Sequence, residues 1–446
     1  MSGQPPRPDR RRRGSGRQRT EGRDRGGQPT HVPLPRDPRP ATVDGFTHGG
    51  EGVVRLEGKA VFVPGALPGE RVVVQVTEDR PRWARAALLE VTTPSPDRVE
   101  PPASADELGG GDLAHVSPDG QRRLKTRVLR EQLTRLGRIE QPPVASCRPV
   151  GPDLGYRTNV RLHAGEDGRL GFHRAGSNQV VAVDRVLLAA PEVQALRDAV
   201  GDDTGAAEVV LRAHATTGTA AVAITPGSGP VSLPEGDFDV ALVQPNGKQL
   251  AMRGDNVLAE TIDGLTYRFD TTSFFQVSTG GAAALVAEVL AAVGPVEGAL
   301  VWDLYAGVGL LSLPLTRAGA EVVAVEGHLP ATRWASSNAA DAGLDLRVEH
   351  ADVAEFVRAV ASRRRTDLDP PEVVVLDPPR TGAGTDVVRD LVDLAPAAIV
   401  YVACDVAALA RDTRALTAGG YRLTAVQPLE LFPMTHHLET VATFTR

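Results

Sequence analysis

The stretch ALVWDLYAGVGLLSL, residues 299–313, decides the reading of this chain of 446 residues. An apolar run of strand length, ALVWDLY, ends on a Gly-x-Gly turn at Gly307 and Gly309 and passes straight into the helix-like GLLSLPLTRA. The same alternation repeats downstream. AEVVAVE, DLRVEH, EVVVLD and AAIVYVA read as strands; PATRWASSNAADAG, DVAEFVRAVASR, TDVVRDLVDLA and VAALARDTRALTAGG read as helices. This rhythm predicts a doubly wound α/β domain on a largely parallel sheet over residues 271–446. Ligands of such sheets bind outside the carboxyl ends of the strands, so the strand exits are the places to search for chemistry.

Upstream the text is different. From residue 41 to 98 the segments GVVRL, KAVFV, RVVVQV and WARAALLEV are separated by glycine, proline and charge, and FVPGALPGERV supplies two turn signals. About five strands in so short a span predict a small OB-like barrel. SPDRVEPPAS reads as a linker. Residues 117–137 read as a helix, with Ser117 as N-cap, Pro118 at the first position and an apolar stripe of Leu124, Val128, Leu129, Leu133 and Leu136. NVRLHA, LGFHR, VVLRAHA, TAAVAIT and LTYRFD make the rest of residues 99–270 a central β-rich region, with the helix expected to pack on the catalytic domain.

Composition excludes several classes. Two cysteines exclude a disulfide framework and a four-thiolate metal site, and Cys147 sits in a proline-rich connector without ligand spacing. No apolar run reaches the ~18 residues of a membrane span, and the arginine-rich N-terminus has no apolar core of a secretory signal. A cytoplasmic, reduced protein with no membrane contact is expected. Residues 1–40 hold eleven arginines against four acidic residues, a balance of +7, so with −7 overall the other 406 residues carry −14. This tail is too polar to fold alone, and it suits either nucleic-acid phosphates or simple solubility.

Four strand exits carry candidate groups. At the first, glycines allow a close backbone approach, and at the second Glu326, twenty-three residues beyond Asp303, stands where a carboxylate takes the hydroxyls of a ribose. A nucleoside-containing cofactor fits. Ser312 stands where a dinucleotide fingerprint has its third glycine, which favours S-adenosylmethionine over a nicotinamide cofactor. At the fourth strand, LDPPR projects Asp377 on a proline-fixed path and ends in Arg380, where amine-methylating enzymes usually carry an aromatic. At the fifth, YVACDVAALARD (401–412) places Cys404 at the same cleft. The FPMTHHLETV run (432–441) adds His437 and Glu439. A thiol and a carboxylate there suit one reaction. Carbon 5 of uracil attacks a methyl donor only after a thiolate has added to carbon 6, and a base must then remove the carbon-5 proton.

The motifs FFQVS (274–278), DLYAGVG (303–309), LDPPRTG (376–382) with the Cys404 stretch, and FPMTHHLETV, in this order and spacing, resemble the bacterial RNA uracil-5 methyltransferases. The region 41–98 resembles the TRAM module, an OB-like RNA-binding barrel. The resemblance implies a Rossmann-like S-adenosylmethionine methyltransferase domain. It implies Cys404 as nucleophile and Glu439 as proton acceptor, with Gln276, Tyr305, Glu326 and Asp377 contacting S-adenosylmethionine. It implies an RNA partner, ribosomal or transfer RNA, with ribosomal RNA slightly favoured.

Departures from the family are informative. Where many TRAM-bearing members hold a four-iron, four-sulfur cluster on a CGGC-type motif, this chain reads LGGGDLAH, with Leu108 and Gly111 at the cysteine positions, so no iron–sulfur cluster is expected. Asp405 and Val406 follow the nucleophile in place of Asn-Pro, and an acid so close is expected to disfavour the thiolate. Ala306 and Leu310 also replace residues common in relatives. The adjacent His436 and His437 lack a third ligand at metal spacing, and His437 is expected to position the Glu439 loop. The competing readings are an RNA-binding or folding factor that has lost turnover, a cytosine-5 methyltransferase, for which DPPR lacks a thiol, and a nicotinamide oxidoreductase. No protein partner is legible.

Overall fold

A computed structural model describes residues 33–446; the expectation for the arginine-rich tail falls mostly on residues 1–32, outside that range. The first five strands, β1 (Arg39–Phe46), β2 (Glu51–Leu56), β3 (Lys59–Pro64), β4 (Arg71–Asp79) and β5 (Trp83–Thr93), close into a barrel in the order β1-β2-β3-β5-β4. Alternation along each strand sends Val54, Val61, Val63, Val72 and Val74 inward, all at most 1% exposed, and this small apolar core holds the barrel closed. The segment after β5 is pinned rather than free: Arg98 donates through Nε to the fully buried Glu70 and through Nη2 to the Gly65 carbonyl, each at 2.6 Å.

Next comes α1 (Pro118–Arg135), capped by the Ser117 hydroxyl, which accepts the Gly120 N–H at 3.2 Å, and then the two-residue β6 (Arg148–Pro149). The central strands β7 (Asn159–Ala164), β8 (Leu170–His173) and β9 (Val180–Ala182), the helix α2 (Pro191–Val200), and β10 (Ala206–His214), β11 (Thr219–Pro226), β12 (Asp239–Val243) and β13 (Gln249–Arg253) form one seven-stranded sheet, β13-β12-β11-β10-β7-β8-β9, with its own core. A hairpin of β14 (Val257–Ile262) and β15 (Leu265–Asp270) follows.

The remaining elements are α3 (Thr279–Val293), β16 (Leu300–Leu304), α4 (Ser312–Arg317), β17 (Glu321–Glu326), α5 (Leu329–Asp341), β18 (Arg347–His350), α6 (Val353–Ala361), β19 (Val373–Leu376), α7 (Gly384–Leu394), β20 (Ala398–Ala403), α8 (Val406–Ala418), β21 (Arg422–Glu430) and β22 (Glu439–Thr445). Their sheet runs β18-β17-β16-β19-β20-β22-β21-β6, with the first five strands parallel and β22 antiparallel to both neighbours. The strands buried on both faces read as near-continuous apolar runs, as two helical layers require. The strand order reverses between β16 and β19, and the crevice opens there.

The span 99–270, expected as one β-rich region, divides in space. The α1 stripe (Leu124, Val128, Leu129, Leu133) shares a core with Leu409 and Ala410 of α8, and β6 adds a parallel edge to the catalytic sheet beside β21. Tyr267 and Phe269 of the hairpin pack with Leu285 and Val289 of α3. Only residues between these pieces build the separate sheet. The reason is geometric: α1 and the hairpin are amphipathic, and each buries its apolar side on the largest apolar surface within reach.

Candidate active site

Register brings the strand exits to one level. Val325 of β17 and Leu376 of β19 both pair with Leu304 of β16, so Tyr305, Glu326 and Asp377 each stand one step beyond those pairs. Between β20 and β22 the last pair is Ala403 with Thr440; one step further along the same antiparallel register sets Cys404 opposite Glu439. Five of the six predicted site residues are therefore positioned by backbone pairing, Gln276 being the exception.

The first exit turns sharply. Tyr305 has φ +65°, an uncommon conformation for a side chain of this size, and its N–H and that of Ala306 both reach the Val325 carbonyl. Gly307 follows at φ +56° and its N–H donates to Glu326 Oε2 at 3.0 Å, while Glu326 Oε1 accepts from His328 N–H at 2.7 Å. Glu326 thus ties the first loop to the second. A Cβ on Gly307 would meet nothing within 4 Å, so the turn faces open space, as a close-lying ligand needs. Asp303 lies beneath, with Oδ2 accepting from the Ser312 hydroxyl and Oδ1 buried without a partner.

Gln276 enters from the segment preceding α3 and is 6% exposed. It lines, with Asp303, Tyr305, Gly307 and Asp377, a small cavity whose rim is Phe274, 73% exposed. The segment is held from below by the buried Arg212, which donates through Nη1 to the carbonyls of Thr271 and Ser273 and lies 4.8 Å from the Phe269 ring. An open glycine turn, a carboxylate at the second strand exit, a buried acid with one unpartnered oxygen and a buried amide fit a nucleoside cofactor that bears positive charge.

Burial of acids without cations sets the electrostatics. Asp303 and Asp377 are each pushed up to about 7 by burial, and Asp377 and Glu326 raise Asp303 further. Glu439 is raised well above the usual carboxylate range by burial and then by Asp377, and its Oε1 is buried without a partner. The Cys404 thiol is pushed up to about 12 by burial, then by Glu439 and Asp377, with Arg380 opposing. Raised carboxyl pKa values mean that the folded protein binds more protons than the unfolded chain between about pH 4 and 7. Their contribution to stability is full below pH 4 and is lost as pH rises through about 7. Urea midpoints measured across this window should therefore fall more steeply for the native protein than for Asp303→Asn.

Cys404 opens onto a second cavity of about 180 Å³ shared with Arg380, His436, His437 and, from the barrel, His48 and Gly49. Arg380 donates through Nη2 to His437 Nε2 at 3.2 Å. Burial, His436 and Arg380 hold His437 down at about 4, so it is a neutral acceptor at physiological pH. Asp405 lines the same cavity, and its Oδ1 accepts the Ala408 N–H at 2.7 Å and caps α8, so the helix N-terminus takes up part of its charge. Asp405→Ala should cost about 1 kcal/mol in urea unfolding and Asp405→Asn much less, because asparagine also caps.

The loop carrying His436 and His437 is fastened from far along the chain. Gln121 Oε1 accepts the Met434 N–H at 2.8 Å, Lys125 pairs with the buried Glu430 and donates to the Phe432 carbonyl at 3.1 Å, and Asp112 takes both the N–H and the Nδ1 of His436. Gly50 sits against this pair at φ +80°, where a Cβ would lie 2.6 Å from Asp112 Oδ2. None of Asp112, Gln121, Lys125 or His48 was legible as functional. The partners of Asp112, Gln121 and Lys125 lie 324, 313 and 305 residues away, and only the Asp-Leu of LGGGDLAH offered a local signal. Leu108 packs with Ala114, Tyr156, Leu188 and Met434, and neither it nor Gly111 offers a ligand to iron, so the residues do not fit a cluster. Among the described residues no group of three or more His, Cys, Asp or Glu is placed to hold a metal ion, and no helix is long and apolar enough to cross a membrane.

The fold and the glycine-turn site define the class: a doubly wound methyltransferase joined to an OB-like barrel. Residues 36–89 match the TRAM domain, and residues 232–446 match tRNA (uracil-5-)-methyltransferase. An RNA methyltransferase of Corynebacterium efficiens, itself uncharacterized, is 34% identical over 93% of this chain and 98% of its own length. A 23S rRNA (uracil(1939)-C(5))-methyltransferase of Shewanella sediminis is 33% identical over 89% of this chain and 93% of its own. In structure, the chain is similar to the Pyrococcus abyssi tRNA (uracil-54, C5)-methyltransferase in complex with S-adenosyl-L-homocysteine, with TM-score 0.73, 23% identity, and 91% and 100% of the two chains covered. The chain belongs to the TRAM-bearing uracil-5 RNA methyltransferase family and is an RNA methyltransferase.

Proposed function

We propose that this protein transfers a methyl group from S-adenosylmethionine to carbon 5 of a uridine in structured RNA through a covalent bond between Cys404 and carbon 6. The observation that carries the reading is the register that faces Cys404 with Glu439, a thiol and a buried carboxyl across one pair of strands. S-adenosylmethionine supplies an electrophilic methyl on a sulfonium; Gln276, Tyr305, Glu326 and Asp377 are the residues that would hold it. The buried acids favour a cationic ligand over its neutral demethylated product, since the positive charge offsets their mutual repulsion.

The steps follow from the residues. Cys404, as thiolate, adds to carbon 6 and the ring electrons move toward carbon 5 and the carbon-4 carbonyl. Carbon 5 takes the methyl group. Glu439, as carboxylate, removes the carbon-5 proton, the carbon 5–carbon 6 double bond re-forms, and the thiolate leaves. Burial makes both groups stronger bases and at the same time opposes ionisation of the thiol. A thiol pushed up to about 12 is a strong nucleophile once ionised, and a carboxylate raised by burial is a stronger base than a solvated one. Arg380, held by His437, is the cation that opposes the acids at the thiol. The target uridine must leave its stack to reach the Cys404 cavity, so loops and single strands are the favoured substrates.

Nucleoside mass spectrometry after incubating the protein and S-adenosylmethionine with unmodified transfer and ribosomal RNA, separately, tests this. 5-Methyluridine in one pool supports the reading and names the substrate class. No methylated pyrimidine in either pool overturns it in favour of an RNA-binding factor.

A further inference from the structure

In the proposed cycle two protons leave at different moments. Cys404 gives up its thiol proton before its sulfur bonds to carbon 6, and Glu439 must then be empty to take the carbon-5 proton. One carboxyl cannot hold both. Asp377 lines the cofactor cavity instead, and burial pushes the thiol up to about 12, so Cys404 needs a proton acceptor of its own.

Two adjacent histidines line the cavity of Cys404, and their partners set them apart. His437 is occupied: its Nε2 accepts from Arg380 Nη2 at 3.2 Å, and burial, His436 and Arg380 hold it down at about 4, too weak a base to take a thiol proton near pH 7. His436 is arranged the other way. Asp112, from the loop before α1, accepts its backbone N–H through Oδ1 at 2.9 Å and its Nδ1–H through Oδ2. A carboxylate there keeps the ring proton on Nδ1 and leaves the lone pair on Nε2, and Nε2 has no hydrogen-bond partner among the described residues. Gly50 of the β1–β2 turn closes over the pair, where a Cβ would lie 2.6 Å from Asp112 Oδ2 and 3.0 Å from His436 Cβ. The pairing is thus built from three distant parts of the chain. The other titratable or charged groups around the ring are His437, with centroids 4.2 Å apart, Lys125 of α1, His48 of the barrel, and Arg380 and Asp405 in the cavity wall.

We propose that His436, oriented by Asp112, is the general base that takes the Cys404 proton and the general acid that returns it when the RNA is released. The proposal rests on the uracil-methylation reading. The S–H proton passes to His436 Nε2 as the sulfur bonds to carbon 6. After methyl transfer Glu439 takes the carbon-5 proton, the carbon–sulfur bond breaks with its electron pair going to sulfur, and the imidazolium gives its proton back to the thiolate. His436 and Asp112 end the cycle unchanged, and the proton on Glu439 is lost to solvent. No direct hydrogen bond joins Cys404 to His436; the cavity of about 180 Å³ has room for a water that relays the proton between them. A nucleophile, an imidazole and a carboxylate that fixes its tautomer form the arrangement that activates nucleophiles on unrelated folds.

The experiment has one arm that needs neither RNA nor S-adenosylmethionine. The full chain is alkylated with iodoacetamide at pH 7, and labelling of Cys404 is followed by peptide mass spectrometry with the buried Cys147 as internal reference. Only the thiolate displaces iodide, so the Cys404 rate reads how readily its proton is taken. Asp112→Asn is the sharpest variant. Its carbonyl still accepts the His436 N–H, but its NH₂ then donates to Nδ1 and moves the ring proton to Nε2, which blocks the lone pair while the loop stays fastened. Cys404 alkylation should slow about tenfold, and methylation of the RNA pool found active should fall ~10²-fold in kcat with KM little changed. His436→Gln should act in the same direction. Alkylation at the native rate in Asp112→Asn, or faster alkylation in both variants as a loosened loop would give, overturns the proposal. The two readings fail separately: 5-methyluridine formed at the native rate by His436→Gln sinks the base alone, whereas slowed alkylation in both variants with no 5-methyluridine in any pool supports the base and sinks the methylation reading alone.

Discussion

Cys404→Ala is expected to abolish 5-methyluridine formation, lowering the rate by ~10⁴-fold or more, while leaving binding of S-adenosylhomocysteine and RNA intact. No second thiol lines the Cys404 cavity, whose other polar side chains are His48, Arg380, Asp405, His436 and His437. The fold should survive, since Cys404 is half-buried between β20 and the capped start of α8, and its removal breaks no hydrogen bond of that cap. Single-turnover methylation with labelled S-adenosylmethionine, together with calorimetric binding of S-adenosylhomocysteine, checks both halves. Retained methylation would remove Cys404 from the chemistry.

Glu439→Gln is expected to behave differently, and the difference is diagnostic. The amide matches the carboxyl in size but cannot take a proton, so addition and methyl transfer proceed while elimination stalls. Turnover should fall ~10²–10⁴-fold, and a methylated RNA–protein adduct resistant to denaturation should accumulate on gels. The adduct should vanish in the double variant with Cys404→Ala. Loss of turnover with no adduct would place Glu439 before methyl transfer instead of after it.

Most of the candidate site was legible because it is built locally. Strand exits follow from the alternation of apolar runs and helices, and parallel register then levels Tyr305, Glu326 and Asp377 without help from the rest of the chain. Gln276 was read only through the FFQVS resemblance, and its support, Arg212 beneath Thr271 and Ser273, is a buried cation that no periodicity announces. The fastening of the His436–His437 loop was invisible for the same reason. The Lys125–Glu430 and Gln121–Met434 contacts join residues 305 and 313 positions apart. The capping role of Asp405 was not read, because proximity in sequence does not say where a carboxylate points.

The most direct test of the account uses transfer and ribosomal RNA transcribed with 5-fluorouridine, in which the carbon-5 hydrogen proposed to pass to Glu439 is replaced by fluorine. Incubated with the native protein and S-adenosylmethionine, one of the two RNAs should form a denaturation-resistant complex whose mass equals protein plus RNA plus one methyl group, and peptide mapping should place the bond on Cys404. Failure of both RNAs to form an adduct while unsubstituted RNA is methylated, or an adduct on any other residue, would contradict it.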